Sequence, residues 1–163
     1  MRYLLRILLL SLCCLGAVQA ADDDASALLG AIFPALDGTP TAMASLKGKP
    51  AVVNFWARWC GPCRREIPDL AALKKEYGDA LHVVGIGVEA LGESARDFAA
   101  AYEMHYTVVF AGAGGGVELM KALGNDMAGL PFTVVLDAEG RIVARKLGVM
   151  SPADMRAAVA PLL

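Results

Sequence analysis

The sequence predicts an α/β fold: a three-layer sandwich in which helices flank a mixed central β-sheet. Residues 50–57 and 81–88 are short apolar runs rich in β-branched side chains, as expected of strands that are buried on both faces. The segment between them has helical spacing, so the two strands should be parallel and joined by a right-handed crossover. Residues 137–140 have the composition of a tight turn, which adds antiparallel strands on its two sides.

The length and composition predict one domain and no nucleic-acid partner. A chain of 163 residues is long enough for one domain with a sizeable core. The hydrophobic content of 56% and the mean hydropathy of +0.50 are raised by the N-terminal segment, and the rest has the composition of a globular protein. The formal net charge of −2 favours neither nucleic acid nor anionic lipid as a partner.

The first 20 residues have the pattern of a cleavable signal peptide for secretion. Arg2 and Arg6 come before an apolar run at residues 7–18, and the sequence VQA at residues 18–20 supplies the small residues of a cleavage site. An uncleaved anchor is the alternative, but this run is shorter than the roughly 20 residues that a spanning helix needs. We therefore predict a periplasmic protein.

The remainder of the chain divides into a short linker and one domain. Residues 21–30 are acidic and small, which predicts a flexible linker. The folded domain is therefore expected at residues 31–163. Its strand at residues 50–57 leads into a helix over residues 63–77, in which apolar side chains recur at helical spacing until Gly78 ends the run.

The later elements follow from the same kinds of pattern. Phe98 and Tyr102 are expected to point inward from an amphipathic helix over residues 93–104. Ser151 is suited to be the N-cap of a terminal helix, with Pro152 at its first position. The other predicted elements are, in chain order, the strands 81–88 and 106–110, the helix 117–123, and the strands 132–136 and 141–147.

A glycine-rich segment at residues 112–116 follows a predicted strand and precedes a predicted helix, so a dinucleotide-binding loop is one interpretation. The third glycine of that pattern would fall at Val117, and no acidic residue ends a strand about twenty residues later. We therefore predict that the segment is a flexible connection.

The sequence WCGPC at residues 59–63 contains the candidate reactive groups, Cys60 and Cys63. A structural zinc site needs a full set of ligands, and His82 and His105 lie 23 residues apart in the chain, so no metal site is predicted. Cu(I) bound by the two thiolates stays open as an alternative, because soft ligands suit that ion.

A reversible disulfide is the interpretation that the surroundings of this pair favour. Cys13 and Cys14 lie in the predicted signal peptide, where lipidation is a weaker alternative, so an exported chain retains Cys60 and Cys63. A pair so close in sequence closes too small a loop to be a structural staple. Cys60 lies at a helix start, where the dipole stabilises a thiolate, so it is the candidate nucleophile and Cys63 the resolving thiol.

These residues resemble the thioredoxin superfamily, and within it the exported TlpA/ResA-like reductases. The resemblance covers most of residues 33–163, and it rests on VVNFWARWCGPCRREIP at residues 52–68 and GLPFTVVLDAEG at residues 129–140. It implies a thioredoxin-like sandwich. It also implies a protein-disulfide reductase, that is, a thiol-disulfide oxidoreductase that uses no cofactor besides its own Cys60–Cys63 disulfide.

The resemblance also implies roles for residues around the pair. Pro131, preceded by Leu130, matches the proline that takes the cis form beside the cysteines. Asn54 stands where cytoplasmic thioredoxins carry a buried acid, so Glu66, three residues after Cys63, is the expected proton acceptor. An exposed first-turn acid that complements the helix dipole is the alternative for Glu66.

Other positions also match the family. Glu89 occupies an acidic position often seen near such sites, and Trp56 is expected to pack in the core. The sequence Phe132-Thr133 departs from the Thr-Thr often found after the cis-proline. Four residues are expected to contact the substrate: Trp59, Gly61, Pro62 and Leu130.

The function implied by the resemblance is periplasmic thiol-disulfide chemistry. The CGPC dithiol would reduce disulfides in exported client proteins, such as apocytochromes c or copper-site assembly proteins, and a membrane electron donor would restore it. A disulfide oxidant or isomerase is one alternative, and a non-catalytic Cu(I) carrier is another. We expect the protein to be a monomer.

Overall fold

The computed structural model describes residues 24–163. The predicted signal peptide at residues 1–20 and the start of the predicted linker lie outside the described residues. In the part of the chain that is described, no helix combines the length and the apolar character needed to cross a membrane.

The described residues form five α-helices and seven β-strands. Along the chain these are α1 (Ser26–Leu29), β1 (Ile32–Pro34), β2 (Pro40–Ala42), β3 (Ala51–Trp56), α2 (Gly61–Tyr77), β4 (His82–Gly87), α3 (Glu93–Ala101), β5 (Thr107–Phe110), α4 (Ala113–Ala122), β6 (Phe132–Leu136), β7 (Ile142–Leu147) and α5 (Pro152–Val159). Single turns of 3₁₀ helix lie at Met43–Leu46, Gly78–Ala80 and Ala160–Leu162.

Five strands form the central sheet, in the order β5-β4-β3-β6-β7. The strands β3, β4 and β5 are parallel, whereas β6 is antiparallel to β3 and β7 is antiparallel to β6. The short strands β1 and β2 form a separate antiparallel pair. A mixed sheet flanked by helices confirms the predicted fold class.

The alternation of side chains along β3 divides the core between the two faces of the sheet. Val53 and Phe55 belong to the hydrophobic cluster that also contains residues of α1 and α4. Trp56 belongs to the cluster that contains residues of α2 and α3, and Asn54 hydrogen-bonds to a side chain of α2. The strand therefore presents a polar group to the helix that begins at the cysteines.

The aromatic side chains predicted to point inward pack together beside Trp56. The rings of Trp56 and Phe98 are stacked with centroids 5.2 Å apart, and those of Phe98 and Tyr102 are stacked at 4.3 Å. The helix α3 ends at Ala101, earlier than predicted, and Glu103 has a positive φ of 49° that is incompatible with a continuing helix.

The folded part of the chain extends N-terminally past the predicted boundary. Ser26–Leu29 form α1, and the side chains of Ala25 and Leu28 are buried. Residues 24–30 therefore belong to the domain rather than to a linker. The sequence signal is weak there because a single helical turn offers too few positions to show a periodic pattern.

The glycine-rich segment at residues 112–116 is the start of α4, so the prediction of a flexible connection is wrong. Gly112 has a φ of 70°, which lets the chain turn from β5 into the helix. A Cβ at Gly116 would lie 2.7 Å from Cγ1 of Val88, which is too close for any side chain. The glycine at this position allows the helix to approach the end of β4.

Candidate active site

Cys60 and Cys63 are joined by a disulfide at the start of α2. Cys60 is the N-cap of the helix, and its Sγ accepts a hydrogen bond from the backbone N–H of Cys63 at 3.2 Å. Because α2 is 17 residues long, this sulfur lies at the positive end of a substantial helix dipole. The position favours the thiolate of Cys60 once the disulfide is reduced.

The two cysteines differ in their access to solvent. Cys60 keeps 4% of its surface exposed, whereas Cys63 keeps 0%. Gly61 and Pro62 between them are exposed, and Trp59 is 70% exposed. A substrate can therefore approach the sulfur of Cys60 along an exposed rim, while the sulfur of Cys63 is enclosed by the protein.

The loop before β6 packs against the hydrophobic cluster that contains the two cysteines. The peptide bond between Leu130 and Pro131 is cis, and the carbonyl of Pro131 accepts a hydrogen bond from Gly148 N–H at 2.8 Å. Leu130 is half-buried and packs against the cluster that contains both cysteines. The structure thus brings together two parts of the site that lie far apart in the sequence.

Asn125 holds this loop, and the sequence analysis did not single it out. Its Nδ2 donates to the carbonyl of Gly129 at 2.9 Å, and its Oδ1 accepts from the N–H of Gly129 at 3.3 Å. The side chain is 4% exposed. An asparagine beside glycines is typical of any turn, so the sequence alone does not distinguish a buried anchor from a solvated residue.

Glu89, predicted near the site, is paired with Arg58 after the end of β4. The backbone N–H of Arg58 donates to Oε1 of Glu89 at 2.8 Å, and its Nε donates to Oε2 at 2.7 Å. Arg58 in turn accepts a hydrogen bond on its carbonyl from Nε of Arg64 at 2.8 Å. Glu89 therefore anchors the backbone immediately before the cysteine pair.

Glu66 is fully buried one helical turn after Cys63. Its Oε1 accepts from the N–H of Met150 at 2.8 Å, and its Oε2 accepts from Nδ2 of Asn54 at 2.9 Å. Burial raises the pKa of the Glu66 carboxyl, these two hydrogen bonds oppose the increase, and the charge of Asp69 adds to it. The alternative of an exposed first-turn acid is wrong.

Asn54 links Glu66 to the neighbouring strand. Its Nδ2 also donates to Oγ1 of Thr133 on β6 at 2.9 Å. All three side chains are almost fully buried, and Oδ1 of Asn54 has no hydrogen-bond partner among the described residues. Thr133 and Met150 were not predicted as members of this network, because their contacts with it depend on how segments distant in the sequence are placed by the fold.

Two aromatic side chains enclose the space beside this network. A Cβ at Gly85 would lie 3.0 Å from Nε1 of Trp56 and 3.1 Å from Cε2 of Tyr106, so the glycine makes room for both rings. Nε1 of Trp56 and the hydroxyl of Tyr106 are buried without a partner among residues 24–163. Burial, and then the charge of Glu66, raise the pKa of Tyr106, so its phenol stays neutral.

The histidines and acids do not gather into a metal centre in the part of the chain described. No group of three or more His, Cys, Asp or Glu side chains is placed there to hold a metal ion. His82 lies on β4 and is half-buried. Burial, together with the charges of Lys49 and Lys74, lowers the pKa of its imidazole.

Comparison with known proteins gives consistent matches. A family model described as Redoxin matches residues 21–160. Thioredoxin-like protein YneN of Bacillus subtilis is 32% identical over 123 residues, which cover 74% of this chain and 69% of that protein. Thiol:disulfide interchange protein DsbE of Pseudomonas aeruginosa is 34% identical over 149 residues, which cover 84% of this chain and 76% of that protein.

The fold also resembles a solved structure. A crystal structure of a secreted disulfide oxidoreductase of Mycobacterium tuberculosis, described as homologous to E. coli DsbE, matches with a TM-score of 0.68 and 29% sequence identity. The match covers 82% of this chain and 97% of that one.

Proposed function

The chain belongs to the Redoxin family and is a thiol-disulfide oxidoreductase, and from this premise we propose that it reduces disulfides in exported proteins. The position of Cys60 carries the proposal. Its Sγ receives one N–H, that of Cys63, because Pro62 at the second helical position has none to give. One donor stabilises the thiolate enough for it to react, but less than two donors would. Because a strongly stabilised thiolate makes a cysteine pair oxidising, the weaker stabilisation suits a pair that gives electrons to its clients.

The reaction begins with attack on the client. In the reduced protein, the thiolate of Cys60 attacks one sulfur of a client disulfide, a mixed disulfide forms, and the first client thiolate leaves and takes up a proton from solvent. The exposed rim at Trp59 and Pro62, together with Leu130 and the cis-proline Pro131, contacts the client at this stage.

The second step resolves the mixed disulfide. The thiol of Cys63 gives its proton to the carboxylate of Glu66, and the resulting thiolate attacks Sγ of Cys60. The second client thiolate leaves and is protonated, Glu66 releases its proton, and the Cys60–Cys63 disulfide closes. Two electrons have then passed to the client, and a membrane electron donor of the dithiol type must supply two electrons to reopen the disulfide.

The proposed location is the periplasm. The N-terminal pattern of basic, apolar and small residues supports export, and a similar protein of Mycobacterium tuberculosis is described as secreted. The proposed clients of the present protein are exported proteins that contain disulfides. Apocytochromes c and copper-site assembly proteins are the candidates that the resemblance to TlpA/ResA-like reductases suggests.

Insulin reduction in the presence of dithiothreitol tests this function. Cys60→Ser should abolish the acceleration, because the attacking sulfur is lost, and Cys63→Ser should accumulate a mixed disulfide with the client at Cys60. Lys75→Ala, an exposed change at the far end of α2, serves as the control and should keep the wild-type rate. A Cys60→Ser variant with full activity would overturn the proposal.

A further inference from the structure

The buried amide of Asn54 faces the carboxyl group of Glu66 between β3 and α2. Nδ2 of Asn54 donates to Oε2 of Glu66 and to Oγ1 of Thr133, both at 2.9 Å. The three side chains are exposed by 1%, 0% and 0% respectively. Because bulk water does not reach these atoms, a hydrogen bond lost between them is not replaced by one to solvent.

The backbone decides which oxygen of Glu66 can carry a proton. Oε1 accepts from the N–H of Met150 at 2.8 Å, and a backbone N–H can only donate. Oε1 must therefore remain an acceptor in both charge states of the acid. A proton taken up by the carboxylate resides on Oε2, which is the oxygen that faces Asn54.

An asparagine can match either charge state at this oxygen. With Glu66 ionised, Nδ2 of Asn54 donates to Oε2, as observed. With Glu66 protonated, the O–H on Oε2 needs an acceptor, and a rotation of the amide by about 180° presents Oδ1 instead. The same rotation moves Nδ2 to the position that Oδ1 now occupies, where no partner lies among the described residues, so the turned amide is adopted only when Glu66 is protonated. The hydroxyl of Thr133 accepts from Nδ2 in the first state and can donate to Oδ1 in the second.

We propose that Asn54 is a positioning residue whose amide turns each time Glu66 takes up or releases a proton, so that both charge states keep a matched hydrogen bond. The inference rests on the proposed function, in which Cys63 gives a proton to Glu66 as the resolving thiolate forms. An acid at position 54 would compete for the same proton, and an apolar side chain would match neither state.

The other ionisable groups around α2 do not replace Asn54 in this role. Asp69 follows on the same helix, and its charge disfavours the ionised form of Glu66. Arg156 of α5 is paired with Glu76 at 2.9 Å, on the exposed surface. The titratable or charged side chains on the elements packed against α2 are Asp79 on the 3₁₀ turn after it, His82 on β4, Tyr106 before β5, and Asp154 and Arg156 on α5.

Nuclear magnetic resonance of the disulfide form tests whether the amide turns, because the cysteines do not titrate in that form. The nuclear Overhauser contacts between the side-chain NH₂ of Asn54 and the side chain of Thr133 should be present when Glu66 is ionised and lost when it is protonated. The ¹⁵N and ¹H signals of the Asn54 side chain should shift in one step, with the same midpoint as the carboxyl carbon of Glu66. Asn125 is an internal control, since its buried amide bonds to Gly129 and should not follow that step.

Glu66→Gln provides the second arm, because glutamine imitates the protonated acid. The side-chain oxygen of this glutamine is needed to accept from the N–H of Met150, so the NH₂ of the glutamine must face position 54. The Asn54 signals of this variant should therefore stay at the low-pH position of the wild type at every pH. The proposal is overturned if the Asn54 signals ignore the titration of Glu66, or if the contacts of its NH₂ with Thr133 persist when Glu66 is protonated. It is also overturned if the variant shows the Asn54 signals at the high-pH position.

Kinetics connects the amide to the reaction. Reduced protein mixed with Ellman's reagent releases one thionitrobenzoate when Cys60 attacks and a second when Cys63 resolves the mixed disulfide. Asn54→Leu should leave the rate of the first phase within about twofold of wild type. It should raise the midpoint pH of the second phase by about one unit, so that the rate of the second phase is about tenfold lower than in the wild type below that midpoint. If the wild type lacks the first phase, the proposed function fails; if the variant has a normal second phase, only the role of Asn54 fails.

Discussion

At the level of single residues, the site depends on a carboxyl group that is hidden from solvent. Glu66 lies one turn from Cys63, and its two oxygens accept hydrogen bonds from Asn54 and Met150. Both bonds favour the ionised form, whereas burial disfavours it, and burial is the larger effect. A group poised in this way can take a proton from a buried thiol and release it again.

The raised pKa of Glu66 predicts a particular dependence of stability on pH. In the unfolded chain the carboxyl has a pKa of about 4.3. Between that value and the higher folded pKa, the folded state holds the extra proton, so the free energy of unfolding falls as the pH rises and is lowest above the folded pKa. Glu66→Gln cannot ionise and should lose this decline, as urea unfolding from acidic to neutral pH will measure.

Glu118→Gln is the matched control, because Glu118 is an exposed acid on α4 whose side chain is 75% exposed. This variant should keep the pH dependence of the wild type. If Glu66→Gln lost stability with rising pH as steeply as the wild type, the decline would have to come from other groups.

Sequence reasoning identified the reactive residues better than it identified their partners. Cys60 and Cys63 were predictable because a short spacing at a helix start has a direct chemical meaning. The environment of Glu66 was left open between a buried and an exposed acid. Its partner Met150 is 84 residues away in the chain, and no local pattern records a contact of that kind.

At the level of elements, the strong periodic patterns were predicted and the short ones were not. The helix α2 and the strands β3 and β4 were visible because each has enough residues to show its period. The strands β1 and β2 have three residues each, and both contain a proline, so neither showed a strand pattern. The glycines at the start of α4 were misread because glycine content alone does not separate a flexible loop from close packing.

The packing of α4 against the end of β4 predicts opposite effects for two glycines of the same helix. Gly116→Ala places a Cβ 2.7 Å from Val88 and should destabilise the fold by about 1–3 kcal/mol. Gly114→Ala meets no atom within 4 Å and should be neutral or stabilise by up to about 1 kcal/mol. Chemical denaturation of both variants measures the difference, and equal stabilities would contradict this packing.

At the level of the whole molecule, the mixed sheet assembles the site from separate parts of the chain. Placing β3 between β4 and β6 sets Asn54 opposite Thr133, and the loop before β6 brings Leu130, which precedes the cis-proline, to the cysteine cluster. The parallel and antiparallel halves of the sheet were predictable from the order of elements and from the hairpin turn. The side-chain contacts across the sheet were not, because they depend on register.

The reduction potential of the purified protein tests the central claim, that this disulfide serves to reduce clients, most directly. The protein is equilibrated with glutathione or dithiothreitol buffers and read by tryptophan fluorescence, since Trp59 precedes Cys60 and Trp56 packs with the cysteine cluster. A potential near or below roughly −270 mV, the value of thioredoxin, is the predicted result. A potential near roughly −120 mV, typical of a strong oxidant, would contradict the account.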